Sequence, residues 1–242
     1  VSLGNKCTTG KCPFCYVSSD PNGKYYESIC DTWKKWMSKK GEDVIKNGIT
    51  ITKKPFQIAI GSEGEPTEHP QFYEFIKTVY ETGVVPNYTT NGVILSYWNE
   101  LGSSYFKKAQ DILYATRKYV GGVAVSFGNK ALRLFAEKAI EGLIQCGECK
   151  INIHHIISTK ESVHEFVLAW LKYGNNIAYH VLLPLMPSGR SKKGIEPGVF
   201  EYLEEVIQKN HIDNIAFGAH FVEETKKVGR KKIEERGVVF RL

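Results

Sequence analysis

The sequence predicts an α/β fold, a partial TIM-like (β/α)6 barrel with parallel strands. Three observations lead there. Short β-branched runs alternate with longer stretches of helical periodicity, the pattern of βα units feeding a parallel sheet. Glycines close several of the helical stretches, at Gly83, Gly147 and Gly174. The 242 residues are 42% hydrophobic, enough for one sizeable core, and no Pro-, Gly- or Ser-rich linker divides them. A single domain over 1–242 follows, with its core in about 1–220 and a C-terminal segment, 221–242, to which the pattern assigns no element.

Residues 1–3 read as the end of a strand leading into a cysteine-rich loop. From 31 to 40, Trp33, Trp36 and Met37 recur at helical spacing. Residues 56–60 form the next strand, followed by a loop rich in Gly and Glu. A helix over 69–82 places Phe72, Phe75, Ile76, Val79 and Tyr80 on one face. The cycle then repeats. Strands are expected at 84–90, 122–127, 150–158, 177–183 and 212–217. The helices between them fall within 97–115 and at 131–145, 162–173 and 199–209. In such a sheet the functional loops follow the C-terminal ends of the strands.

Lys and Arg total 32 against 26 Asp and Glu, a net charge of +6. Nucleic-acid-binding domains usually carry a denser basic stripe. Here Lys34, Lys35, Lys39 and Lys40, and the residues from Lys226 to Arg236, are interrupted by acids or aromatics and read as solvated surface. Nucleic acid is therefore not favoured as a partner. No apolar run approaches the roughly 18–20 residues that span a bilayer, and no signal-peptide core opens the chain. A cytoplasmic location without membrane contact is expected. The first residue is Val1 rather than Met, which leaves room for an upstream segment.

Three of the six cysteines fall within nine residues, in Cys7-Thr-Thr-Gly-Lys-Cys12-Pro-Phe-Cys15. This C-x4-C-x2-C run suits a metal or cluster site in a reducing compartment better than a disulfide framework. Three thiolates on one short loop can hold three corners of a cubane iron–sulfur cluster and leave one iron open. Gly10 lets the longer spacer fold back, and Lys6 and Lys11 offset negative charge. A structural zinc site is the alternative, with Cys30 as its fourth ligand. Cys146 and Cys149 also have C-x-x-C spacing. They lie at the opposite end of the sheet, so an active-site role is not expected of them.

At the cysteine loop the chain resembles the radical S-adenosylmethionine (SAM) enzymes. Their usual signature is C-x3-C-x2-C after the first strand, with an aromatic before the last cysteine. Phe14 fits that position, whereas the first spacer is one residue longer here. Gly61-Ser-Glu63-Gly64-Glu65-Pro66-Thr67 resembles the family's GGE-type motif. The resemblance implies that backbone carbonyls and Glu65 accept from the SAM ammonium, with Gly64 allowing close approach. Thr89-Thr90-Asn91-Gly92 resembles its TNG turn and places Thr90 and Asn91 at the cofactor.

On the next strands, alternation turns Ala124, Ser126 and Gly128 inward, and likewise Asn152 and His154. Ser126 is expected at ribose oxygens, and Asn152 and His154 at ribose or the methionine carboxylate. A core histidine satisfied by backbone is the other reading of His154. His155 points toward the helices. Leu183-Pro-Leu-Met186-Pro-Ser-Gly189-Arg190 resembles the Pro…Gly-Arg segment of branches that include peptide-modifying members, with backbone near Met186 at the adenine edge. The family's GxIxGxxE-like pattern is absent around the fifth strand. No cysteine follows Cys149, so the auxiliary-cluster extension of peptide-modifying relatives is absent or lies outside this sequence.

The resemblance implies a 4Fe–4S cluster on Cys7, Cys12 and Cys15 as metal ligands and catalytic residues, and SAM as cofactor. It also implies a flavodoxin- or ferredoxin-like electron donor and an oxidoreductase that makes a 5′-deoxyadenosyl radical. A peptide or protein substrate is slightly preferred. Radical chemistry on a nucleotide or nucleic acid, and a non-catalytic zinc-stabilised binding module, stay open as alternatives. Tyr16, Tyr25, Tyr26, His180, Arg190 and His220 are further candidates for substrate contact.

Overall fold

The computed structural model describes residues 1–10, 12–40, 44–46, 49–51, 54–128, 130–147, 149–218 and 238–240. Lys11, His220 and the basic stretch 226–236 lie outside the described residues, as does nearly all of the C-terminal segment. Helix α1 (Ile29–Lys40) is followed by a small antiparallel hairpin of β1 (Val44–Lys46) and β2 (Ile49–Ile51), which the periodicity did not foretell. From there strand and helix alternate: β3 (Gln57–Ile60), α2 (Phe72–Glu81), β4 (Val85–Thr90), α3 (Phe106–Tyr119), β5 (Gly122–Ser126), α4 (Arg133–Cys146). They continue through β6 (Lys150–Ile157), α5 (Lys160–Tyr173), β7 (Tyr179–Pro184), α6 (Val199–Lys209) and β8 (Ile215–Gly218), with β9 (Val238–Phe240) at the edge.

Strands β3 to β9 form one sheet in sequence order, and every pairing is parallel. Parallel neighbours need a crossover, which each intervening helix supplies between β3 and β8. β3 and β9 are not paired to each other, so the result is an open, curled α/β partial barrel as expected, with β9 beyond the strands foreseen. Val1 extends the sheet beside β3: its amine donates to the Ala59 carbonyl at 2.6 Å, and the Gly61 N–H donates to the Val1 carbonyl at 3.2 Å. That is the bonding of a parallel strand, and it fixes where the cysteine loop departs.

The core lies between the sheet and its helices. On β6, Ile151, Ile153, His155 and Ile157 are buried while Asn152, His154 and Ile156 are half-buried. The first set packs toward α4 and α5, and the second lines the concave side. Helix α5 starts at a capping box in which the Thr159 hydroxyl accepts from the Ser162 N–H. α3 lies in the expected window but runs past 115 to Tyr119, and residues Leu95–Tyr97 form a separate 3-10 turn before it. Among the described residues, no helix is long and apolar enough to cross a membrane.

Candidate active site at the cysteine loop

The loop that follows Val1 carries Cys7, Cys12 and Cys15, all half-buried and free of disulfides. Gly10 closes its longer spacer: the Gly10 N–H donates to the Cys7 carbonyl at 2.7 Å, and a Cβ at Gly10 would lie 2.7 Å from that same oxygen. The Cys15 N–H donates to the Cys12 carbonyl at 3.2 Å, making the shorter spacer a turn. Burial pushes the Cys7 thiol up to about 11, and the charges of Glu65 and Glu68 act in the same direction against a hydrogen bond from Thr9. A thiolate there therefore calls for a compensating cation.

Three elements brace the loop. After β3, Gly64 adopts φ +66° and approaches the N-terminal segment so closely that a Cβ would sit 2.5 Å from the Lys6 carbonyl. The Gly64 N–H donates to the Ser19 hydroxyl at 3.1 Å, and the Cys15 thiol lies 3.8 Å from that oxygen. Glu68 accepts from the Thr8 N–H at 3.0 Å and the Thr8 hydroxyl at 2.9 Å. Arg190, beyond β7, donates to the Cys12 carbonyl at 3.4 Å and to the Ser19 carbonyl. Its backbone N–H donates to the Cys15 carbonyl at 3.1 Å. A candidate for substrate contact thus has its guanidinium committed to anchoring the loop, and Gly189 lets that strap lie against it.

Glu65 is 4% exposed and already holds four donors. Its Oε1 accepts from the Thr67 N–H at 3.2 Å, the Thr67 hydroxyl at 2.6 Å and the Thr90 hydroxyl at 2.7 Å. Its Oε2 accepts from the Asn91 N–H at 2.7 Å. Burial raises its carboxyl above the usual range, partly offset by those hydrogen bonds. The group expected at the SAM ammonium is therefore engaged in tying the turn after β3 to the turn after β4. Thr90, 1% exposed, shares that role, since its hydroxyl also accepts from the Gly92 N–H at 3.0 Å. Asn91 faces the cysteine loop, with its amide nitrogen 3.0 Å from the Thr9 hydroxyl and 3.8 Å from the Cys7 sulfur.

The concave face carries the inward residues of β5 and β6. Ser126 and His154 are register partners. The Asn152 Oδ1 is buried with no hydrogen-bond partner, a polar atom open to a ligand donor. Burial lowers the His154 imidazole to about 4, so it is neutral near pH 7. Phe14 and Met186 are half-buried at the loop and after β7.

Other expected contacts fall elsewhere. His180 is fully buried on the helix-facing side of β7, where its Nδ1 lies 3.0 Å from the His155 Nε2, so it cannot reach a substrate in the cleft. His155 also faces the helices, as expected. The Tyr25 hydroxyl lies 3.5 Å from Glu68, and the Lys6 ammonium sits 5.2 Å above the Tyr25 ring. The exposed Tyr16 donates to the Ser62 carbonyl at 3.2 Å, and Tyr26 is half-exposed. Cys30 lies at the start of α1 beside Thr78 of α2, so it does not complete a zinc site on the loop. Cys146 donates to the Leu113 carbonyl at 3.2 Å, and with Cys149 it packs against the core at the strands' N-terminal ends.

Among the described residues, no three His, Cys, Asp or Glu side chains are gathered to hold one metal ion. A tetrahedral zinc site would require such a gathering. A cubane instead takes each thiolate on a separate iron, and three half-buried cysteines free of disulfides on one loop are the donor set such a group needs. Glu68, Thr8, Thr9 and Ser19 were not anticipated. The available signal was two hydroxyls inside the cysteine spacer together with a second glutamate three residues after Glu65.

The open parallel partial barrel is what the comparisons with known proteins bear out. No protein-family model matches the sequence, and no curated protein matches it. Among solved structures, the chain is similar to SuiB of Streptococcus suis bound to its precursor peptide SuiA, with a TM-score of 0.61 and 16% identity over 89% of this chain. SuiB bound to S-adenosylmethionine gives 0.60 and 15% over the same 89%, and a further SuiB structure gives 0.58 and 16%. The chain spans about half of SuiB, 47–49% of its length.

Proposed function

We propose that the chain is the catalytic barrel of a radical SAM enzyme acting on a peptide or protein. The observation that carries this reading is the three-cysteine loop at the C-terminal rim of an open parallel barrel, pinned from three sides by Gly64, Glu68 and Arg190. Cys7, Cys12 and Cys15 would hold a 4Fe–4S cluster. Bound there, the cluster would supply the electron that cleaves SAM to methionine and a 5′-deoxyadenosyl radical, which takes hydrogen from the substrate.

This chain's residues bind and orient. Carbonyls of the 61–64 turn receive the SAM ammonium in place of the committed Glu65 carboxylate. Ser126, His154 and the unpartnered Asn152 Oδ1 meet ribose hydroxyls or the methionine carboxylate from the concave face. His154 stays uncharged there and acts as a neutral hydrogen-bonding group. Phe14 and the backbone at Met186 flank the adenosyl end. A flavodoxin- or ferredoxin-like protein delivers the electron. The peptide preference rests on the Pro…Gly-Arg strap and on the precursor peptide bound by SuiB.

Anaerobically reconstituted protein, mixed with SAM and dithionite, is expected to release 5′-deoxyadenosine. Release that is absent, or that persists in a Cys12→Ala variant, contradicts the assignment.

A further inference from the structure

We propose that Thr9 and Asn91 form a donor relay aimed at the Cys7 sulfur and raise the reduction potential of the cluster it holds. This deepens the reading above and rests on it. The amide of Asn91 has a defined orientation: its Oδ1 accepts from the Val93 N–H at 2.9 Å, so its Nδ2 faces the loop. That nitrogen donates to the Thr9 hydroxyl oxygen at 3.0 Å. With its oxygen engaged as acceptor, the Thr9 hydroxyl has its hydrogen left for the Cys7 sulfur, 3.2 Å away. The same amide nitrogen also lies 3.8 Å from that sulfur. A ligating thiolate has no proton and can only accept, so both groups become donors to it.

The relay occupies a place where the local charge is unfavourable. Cys7 is half-buried, and Glu65 and Glu68 stand near it. Among the described residues, the Lys6 ammonium lies over the Tyr25 ring and the Lys108 ammonium donates to the Glu68 carbonyl at 2.7 Å, so each already has a partner. Hydrogen bonds to cluster sulfurs favour the more electron-rich, reduced state, and chained donors strengthen one another. Thr9 lies within the four-residue spacer, so the longer loop places a hydroxyl beside its own first cysteine. Asn91 is thereby a positioning residue for the cluster loop as well as a neighbour of the cofactor.

The test is a dithionite titration of the reconstituted holoprotein, followed by electron paramagnetic resonance of the reduced cluster, with iron content measured first. Thr9→Val preserves the shape and removes the hydroxyl, whereas Thr9→Ser keeps it. Expected is a more negative midpoint potential in Thr9→Val, a return toward wild type in Thr9→Ser, and a negative shift in Asn91→Ala. Wild-type potential in both Thr9→Val and Asn91→Ala at wild-type iron content, or a positive shift in either, overturns the relay. If Thr9→Val loses iron, the sign of the shift in Asn91→Ala decides. A wild-type protein that binds no iron defeats the functional reading instead, and the iron measurement separates the two failures.

Discussion

A methyl group on Gly64 would meet the Lys6 carbonyl at 2.5 Å and the Gly4 carbonyl at 2.6 Å, at a φ of +66°. Both atoms are backbone, so neither can swing aside. Gly83 has a similar φ of +76° with nothing within 4 Å of its would-be Cβ. Gly83→Ala is therefore expected to cost about 1 kcal/mol, and Gly64→Ala about 3 kcal/mol or more. Thermal or urea unfolding of the two variants checks this, and equal losses would contradict the close approach. The same scale marks what could be read in advance. Cys7, Cys12 and Cys15 were legible because their chemistry resides in residue type and spacing. The engagement of Glu65 was not, because two of its donors, Thr90 and Asn91, come from another strand's end and meet it only in the fold.

The strap after β7 and the helix-facing side of β6 and β7 show how elements shape the site. Arg190 bonds three positions of the cysteine loop's backbone through its side chain and N–H. Arg190→Met keeps the aliphatic stem and removes the donors. The variant is expected to stay folded but to retain less iron after gel filtration, and wild-type retention would refute the anchoring role. On the helix side, His155 and His180 stack at 5.3 Å. Burial lowers His180 to about 4 and holds His155 well below its ordinary range, with the neighbouring His180 and His154 charges acting the same way. The unfolded chain takes up these protons near pH 6.5. Between about pH 6.5 and 4 the unfolded state thus binds more protons, and stability falls as pH falls. The urea midpoint should drop from pH 7 to pH 5, and less steeply in a His155→Leu/His180→Leu variant. An unchanged midpoint in the parent protein would contradict the burial of neutral imidazoles. Alternation on β6 was readable from its sequence, including the outward turn of His155. The hairpin of β1 and β2 was not, although Asn47-Gly48 between two β-branched runs is a hairpin signal. Its strands are three residues each, too short for periodicity to register.

Across the whole molecule, the order of the sheet follows the order of the chain from β3 to β9. That sequence-ordered parallel sheet places the loops after Val1, β3, β4 and β7 along one rim, where Thr8, Thr9, Cys12 and Ser19 meet Gly64, Glu68, Asn91 and Arg190. The architecture was legible because each βα unit declares itself by a change of hydrophobic period. The bracing of the rim was not, because it joins segments as far apart as Cys12 and Arg190. The account as a whole depends on the loop holding a cubane rather than a single ion. Metal analysis of anaerobically reconstituted protein tests this most directly. The account predicts about four irons per chain, lost when Cys7, Cys12 or Cys15 is replaced by alanine. One zinc per chain and no iron, or iron unaffected by those substitutions, would contradict it.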